Sequence, residues 1–305
     1  MIRTSSSLIP ILVNSEARKD KFESFVLPDS ISFPIITKAA VTILIVLSSE
    51  AIFVLFQEWI IFIYLLDSTM ELPRPLHPGI LVKRYKRFLT DVMLEDGTEI
   101  TAHCPNPGRM TGLMTPGSKI WVSRSDNPKR KLPFTFELFE DENGLVGINT
   151  GYPNTIVSEA ITEGKISELA GYEILRREVN YGDRSRIDVL LEDSSRGRCW
   201  VEIKNVHLKR DTGIIPGIAE FPDSVTARGA RHLYELANQV KKGDRAVMVY
   251  LVQRMDCDRF RIAGDIDPNY QKAFIAAVDS GVEIICLDVS ITTETISVRR
   301  PIHIL

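Results

Sequence analysis

Asp188, Glu202 and Lys204 are the residues whose types and spacing most directly suggest chemistry. They lie in "RIDVLLEDSSRGRCWVEIKN" (186–205), two apolar runs joined by a polar turn containing Ser194, Ser195 and Gly197. Strand side chains alternate faces, so Glu202 and Lys204 share one side while Val201 and Ile203 take the other. An antiparallel hairpin across the turn brings Asp188 toward Glu202. Two converging carboxylates repel each other and favour a hard divalent cation, Mg2+ or Mn2+, held through oxygen with several waters retained. A lysine two residues on can orient or deprotonate an attacking water, or stabilise the charge of a phosphorane-like transition state. That is the layout of a metal-dependent phosphodiesterase. A solvent-facing Glu–Lys pair is spelled the same way, so structural context has to decide.

A second pattern pairs cations with rings. In "VKRYKRF" (82–88), Lys83, Arg84, Lys86 and Arg87 surround Tyr85 and Phe88; in "SRSDNPKRKLPFTF" (123–136), Arg124, Lys129, Arg130 and Lys131 precede Phe134 and Phe136. Cations that neutralise phosphates, interleaved with rings on which bases stack, suit a sequence-tolerant nucleic-acid binder. The formal charge of the chain is only −3, so any such binding must rest on local patches. Arg228, Arg231 and His232 on a predicted helix give a further phosphate-facing edge. His77, His103, His207 and His303 fall in no metal-ligand spacing. Cys104, Cys199, Cys257 and Cys286 are scattered without CxxC spacing, which argues against a zinc site or a disulfide framework and for reduced thiols in a cytoplasmic protein.

The elements that must position these residues follow from periodicity. The 305 residues, 44% hydrophobic and 25% charged, allow a sizeable core in one or two domains. From Leu81 to Ile148 five short strand-like runs, "LVKRYKRFLTDVML", "TEITAHC", "SKIWVSRS", "LPFTFELFE" and "LVGIN", are punctuated by Gly, Pro, Asn and Asp clusters, as in a small β-barrel. After Asn149 the rhythm changes to α/β: a helix at 154–164 capped by Asn154 and stopped by Gly164, strands near 173–181, 186–192 and 199–206, a Gly/Pro-rich loop at 211–223, a helix at 224–241, the buried strand "RAVMVYLVQR", a helix at 268–280 and closing strands. The expected fold is α+β, an N-terminal OB-fold-like barrel (70–150) followed by an α/β domain (151–305). Residues 1–69 are an apolar extension of different character. Its block at 39–66 is long enough to cross a bilayer of about 30 Å, with basic residues on one flank. Two readings stay open there: a membrane anchor, or a protein that begins at Met70, which the clean start at "MELPRPLHPG" favours.

Taken together, "RYKRFLTDV", "HCPNPGRMTGL", "SRSDNPKRKLPFTFEL", "INTGYPN", "SRIDVLL", "VEIKNV", "AEFPDSVTARGARHL" and "LVQR" resemble, in order, the bacterial and archaeal sugar fermentation stimulation protein A family from about Met70 onward. The resemblance implies an OB-fold joined to a restriction-endonuclease-like domain of the PD-(D/E)xK class, and DNA as partner. Asp188, Glu202 and Lys204 then match the motif carboxylates and lysine. Glu159 matches an extra helical acid, and Gln253 a residue of a neighbouring core strand. The segment around Pro107 and Arg109 departs from the family pattern. Two functions follow from the resemblance: a DNA-binding protein with a Mg2+- or Mn2+-dependent nuclease site, or a non-enzymatic DNA-binding regulator of sugar-utilisation genes. No helix-turn-helix is spelled out, which favours binding with little sequence preference.

Overall fold

The computed structural model describes residues 69–181, 185–211 and 213–305; the apolar block at 39–66 lies outside the described residues. Among the described residues the first strand, β1 (Met70–Glu71), pairs with a strand near the C-terminus, Met70 opposite Ile296. The barrel follows: β2 (Leu76–Tyr85), β3 (Leu89–Leu94), β4 (Glu99–His103), β5 (Lys119–Arg124) and β6 (Phe134–Asp141), with β7 (Gly144–Gly147) added to β6. β2 pairs antiparallel with β3 and β5, β3 with β4, and β5 with β6, while a parallel pairing between Ala102 and Phe134 closes the cylinder. Leu81, Val92, Ala102, Ile120, Val122 and Phe136 alternate inward along these strands and are shielded from solvent.

The run 81–94 is two strands, not one. Its turn, Lys86-Arg87, carries none of the glycine or asparagine that normally announces a hairpin, yet both residues adopt left-handed backbone, with φ of 50° and 64°. Each such non-glycine residue costs about 1 kcal/mol. Replacing the pair by Asn-Gly should therefore raise the stability of the barrel by about 1 kcal/mol in urea unfolding. An unchanged or lower midpoint would mean that the turn is not strained.

The α/β part is built on α1 (Pro153–Thr162), β8 (Ile174–Tyr181), β9 (Ser185–Asp193), β10 (Gly197–Val206), the short β11 (Leu208–Lys209) and β12 (Gly217–Phe221). Then come α2 (Ala227–Lys241), β13 (Arg245–Val252), β14 (Cys257–Ile262), α3 (Pro268–Asp279), β15 (Glu283–Ile291), β16 (Thr295–Pro301) and β17 (His303–Ile304). Its main sheet runs β1-β16-β15-β13-β10-β9-β8. β10, β13 and β15 are parallel to one another, and β8, β9 and β10 form an antiparallel meander. This α-β-β-β-α-β order is that of a restriction-endonuclease-like core. One sheet face, with Val189, Val201, Val249 and Leu287, packs on α1 and on Trp121 and Leu138 of the barrel. The other, with Leu190, Trp200, Met248 and Tyr250, packs on α2 and α3. Burial on both faces explains why β13 reads as an unbroken apolar run. A small sheet, β11-β12-β14-β17, was not foreseen; β12 falls within the stretch read as a loop, where Pro216 and Pro222 flank five residues and mask the strand.

Candidate active site

The β9–β10 hairpin is regular from Gly197↔Asp193 to Val201↔Val189, where its ladder ends. One residue further, Asp188 takes the place of a ladder partner: its Oδ2 accepts the backbone N–H of Ile203 at 2.7 Å. β8 is irregular at the same level, since Arg177 pairs with Val189 and Val179 with Ile187, and Glu178 between them has φ 54°. The splayed strands open a polar gap in an apolar sheet, and the charged residues sit there. Asn154, expected to cap α1, does not do so. The N-cap position is Tyr152, without a side-chain hydrogen bond, and the Asn154 amide donates to Asp188 Oδ1 at 2.9 Å and to Glu178 Oε1 at 3.3 Å.

Glu202 points to the α2 face and is 2% exposed. Its Oε1 accepts from Lys204 Nζ at 2.6 Å and is in contact with His232 Nδ1 of α2. Its Oε2 is buried with no hydrogen-bond partner among the described residues. Burial alone would raise the Glu202 pKa, but Lys204 and His232 outweigh it and hold it below the usual range. Asp188 goes the other way: burial and then the Glu202 charge push it up to about 6, against the Ile203 N–H, Lys204 and Asn154. Burial and charge thus drive the two neighbouring carboxylates apart, an arrangement found at functional sites and in structural ion-pair networks alike. Among the described residues no three His, Cys, Asp or Glu side chains encircle a metal. The donor set is instead two carboxylates, one with a bare buried oxygen, beside a polar cleft. That suits a divalent ion that keeps most of its waters.

The structure thus brings Asp188, Glu202 and Lys204 together and adds His232, Asn154 and Glu178. Glu159 is elsewhere: the charges around it are Glu163, Arg177 and Lys165, and burial raises its pKa. Gln253 is fully buried at the seam with the barrel, donating to Asn149 O and Asn205 Oδ1. His207 lies at the same seam, in contact with Gly147 O and Asn106, and burial lowers it to about 4.

Of the barrel cations, Lys83, Lys86, Arg87, Arg124, Lys129, Arg130 and Lys131 are exposed. Lys83 pairs with Asp91 at 3.4 Å and Arg130 donates to Thr135 at 2.9 Å. Arg84 differs. Partly buried, it donates to the carbonyls of Asn106 and Gly108 at 2.7 and 3.1 Å and so clamps the "CPNPGRM" loop. Phe88 is 46% exposed and stacks on His103, whereas Phe136 is core.

The family model described as the sugar fermentation stimulation protein RE domain matches residues 151–295, and that of the SfsA N-terminal OB domain matches 82–148. A sugar fermentation stimulation protein homolog of Rhodospirillum centenum is 57% identical over 235 residues, 77% of this chain and 99% of the relative. A homolog of Maricaulis maris is 53% identical over 235 residues, covering 77% and 98%. Among solved structures, that of Pyrococcus furiosus SfsA in complex with Ca2+ superposes with a TM-score of 0.69 at 28% identity, covering 78% of this chain and 98% of that one.

Proposed function

The chain belongs to the sugar fermentation stimulation protein family, and from that premise we propose that it binds DNA with little sequence preference and holds a divalent-metal phosphodiesterase site in its α/β domain. The observation that carries the reading is the pairing of a partly buried carboxylate, Asp188, with Glu202, whose buried Oε2 has no partner among the described residues. A buried oxygen left bare costs about 1–3 kcal/mol unless a ligand satisfies it. Asp188 and Glu202 are the residues that would hold Mg2+ or Mn2+, and the Ca2+ bound by the Pyrococcus furiosus relative supports an oxygen-ligated divalent ion. When bound, such an ion supplies Lewis-acid polarisation of a phosphate and neutralises the charge developing on it. His232 and Lys204 together fix Glu202 Oε1, leaving Oε2 as the ligand oxygen. Lys204, with its side chain 14% exposed, contacts Glu202 Oε1 and His232 Nδ1 and has a third Nζ proton to orient a water or meet phosphate charge. The exposed lysines and arginines of the barrel supply salt-sensitive affinity.

The test is to incubate the purified chain with single-stranded, duplex and branched DNA, with Mg2+, with Mn2+ and with chelator. Cleavage that requires either ion is expected. Binding without cleavage under every condition would retire the enzyme reading and leave a DNA-binding protein.

A further inference from the structure

Beside the paired carboxylates lies a cleft of about 460 Å3 whose floor includes Asp188 and His232. Three guanidinium groups line it: Arg186, from β9 two residues before Asp188, and Arg228 and Arg231, from neighbouring turns of α2. All three are exposed. Resting on the DNA-binding reading above, we propose that Arg186, Arg228 and Arg231 form a phosphate clamp that seats the backbone of a DNA strand across Asp188, at a place separate from the basic segments of the barrel.

Uncommitted donors and local charge support the clamp. Among the described residues, the Arg228 side chain makes a single hydrogen bond, Nε to His232 Nε2 at 3.3 Å, which leaves both terminal nitrogens to face the cleft. Arg186 spends Nε on Asn180 Oδ1 at 3.1 Å, and its terminal nitrogens make no hydrogen bond among the described residues. Among the described residues Arg231 has only a loose pairing with Glu235, at 3.9 Å. Exposed arginines on a protein surface normally face a carboxylate or open water. Here three converge on one concavity, and among the described residues the acids lining it are Asp188, which the proposed metal would neutralise, and Glu178, which is already held by Asn154. Guanidinium forks match two phosphate oxygens at once, so the occupant of best fit is a run of phosphodiesters. Its place follows from the neighbours of Arg228. That residue touches His232, which touches Glu202, so a phosphate held by Arg228 stands two side chains from the candidate metal ligand.

The experiment measures binding of the full chain to mixed-sequence single-stranded and duplex oligonucleotides, in chelator, across a salt series. Every phosphate that is no longer neutralised flattens log K against log salt by about 0.7 for single strands and 0.9 for duplex. The Arg186→Ala, Arg228→Ala, Arg231→Ala triple variant should flatten it by about two units and bind at least about 10-fold more weakly at about 0.1 M salt. Arg228→Lys should keep the slope while binding more weakly, because a lysine supplies the charge without the fork. Lys129→Ala with Arg130→Ala is run in parallel. If the barrel variant has a flatter slope and the arginine variant does not, the clamp is overturned and the DNA-binding reading stands. A wild-type chain that binds no DNA overturns both. Should the triple variant fail to fold, Arg231→Glu alone replaces it: a weaker, flatter response supports the clamp and an unchanged one removes Arg231 from it.

Discussion

Asp188→Asn is expected to do two opposite things: abolish divalent-dependent DNA cleavage, by more than about 100-fold, and make the metal-free protein more stable. The first follows from removing one of two carboxylates available to the ion. The second follows from the sign of the Asp188 shift. Its pKa is raised from 3.8 to about 6 by burial and by Glu202, so between these values the folded protein binds more proton than the unfolded chain. Stability therefore falls as pH rises through that window, and near pH 7 the ionised side chain is a net cost. A shift of about two pH units corresponds to about 3 kcal/mol, and a weaker hydrogen bond from the Ile203 N–H to a neutral amide offsets part of the gain, so about 1–2 kcal/mol should appear in urea unfolding in chelator. Asparagine keeps one acceptor, for Ile203, so the hairpin survives, and gives up the bond from the Asn154 amide, part of the same offset. Adding Mn2+ should raise the melting temperature of the wild type and leave the variant unmoved, because an ion that binds only the folded state stabilises it by mass action. A variant that is less stable than wild type in chelator would show that the Asp188 charge is satisfied by the protein alone.

What the sequence disclosed of this site is what a strand and a turn can encode. Asp188, Glu202 and Lys204 were legible because strand alternation fixes their faces over 17 residues and Ser-Ser-Arg-Gly sets the hairpin. His232 was noticed only as a residue on a helix edge. Its contact with Glu202 depends on how α2 crosses β10, and nothing local specifies that angle. Asn154 read as a helix cap because Asn before an apolar periodic run usually is one; a tertiary partner, Asp188, claimed its amide instead. Glu178 was hidden by an irregularity of β8 that carries no glycine to announce it. The barrel was legible from its punctuation, except at Lys86-Arg87, where two residues ill suited to a left-handed turn occupy one. Arg84 shows the limit of counting charges: in sequence it belongs to a basic patch, and in the fold it is a loop clamp.

The largest effect on stability should come from a network with no part in the proposed chemistry. Arg254, whose side chain is 3% exposed, donates Nε to Asp256 Oδ1 and Nη2 to Asp256 Oδ2, both at 2.9 Å. It also reaches Asp141 of the barrel strand β6 at 2.7 Å and the His207 carbonyl at 3.2 Å. Lys209, 5% exposed at the side chain, adds a bond to Asp256 Oδ2 at 3.0 Å. Asp256 thus pairs with both buried cations at the seam between barrel and α/β sheet, sharing Arg254 with Asp141, and Arg254 and Lys209 overcome burial to hold its pKa down to about 2. Asp256→Asn removes that charge while keeping the shape. Arg254 keeps Asp141, but Lys209 loses the carboxylate it pairs with among the described residues; a buried charge left unpaired costs about 3–5 kcal/mol, so a loss of that order is expected in urea unfolding near neutral pH. The wild type should forfeit about 2–3 kcal/mol on acidification: a depressed carboxylate stabilises above its unfolded pKa of about 3.9 and loses the effect as pH falls toward about 2. Adding Lys209→Met to Asp256→Asn removes the stranded cation and should recover part of the loss, a coupling a double-mutant cycle reads directly. If Asp256→Asn costs less than about 1 kcal/mol, water reaches the network and the seam is held by its apolar packing instead.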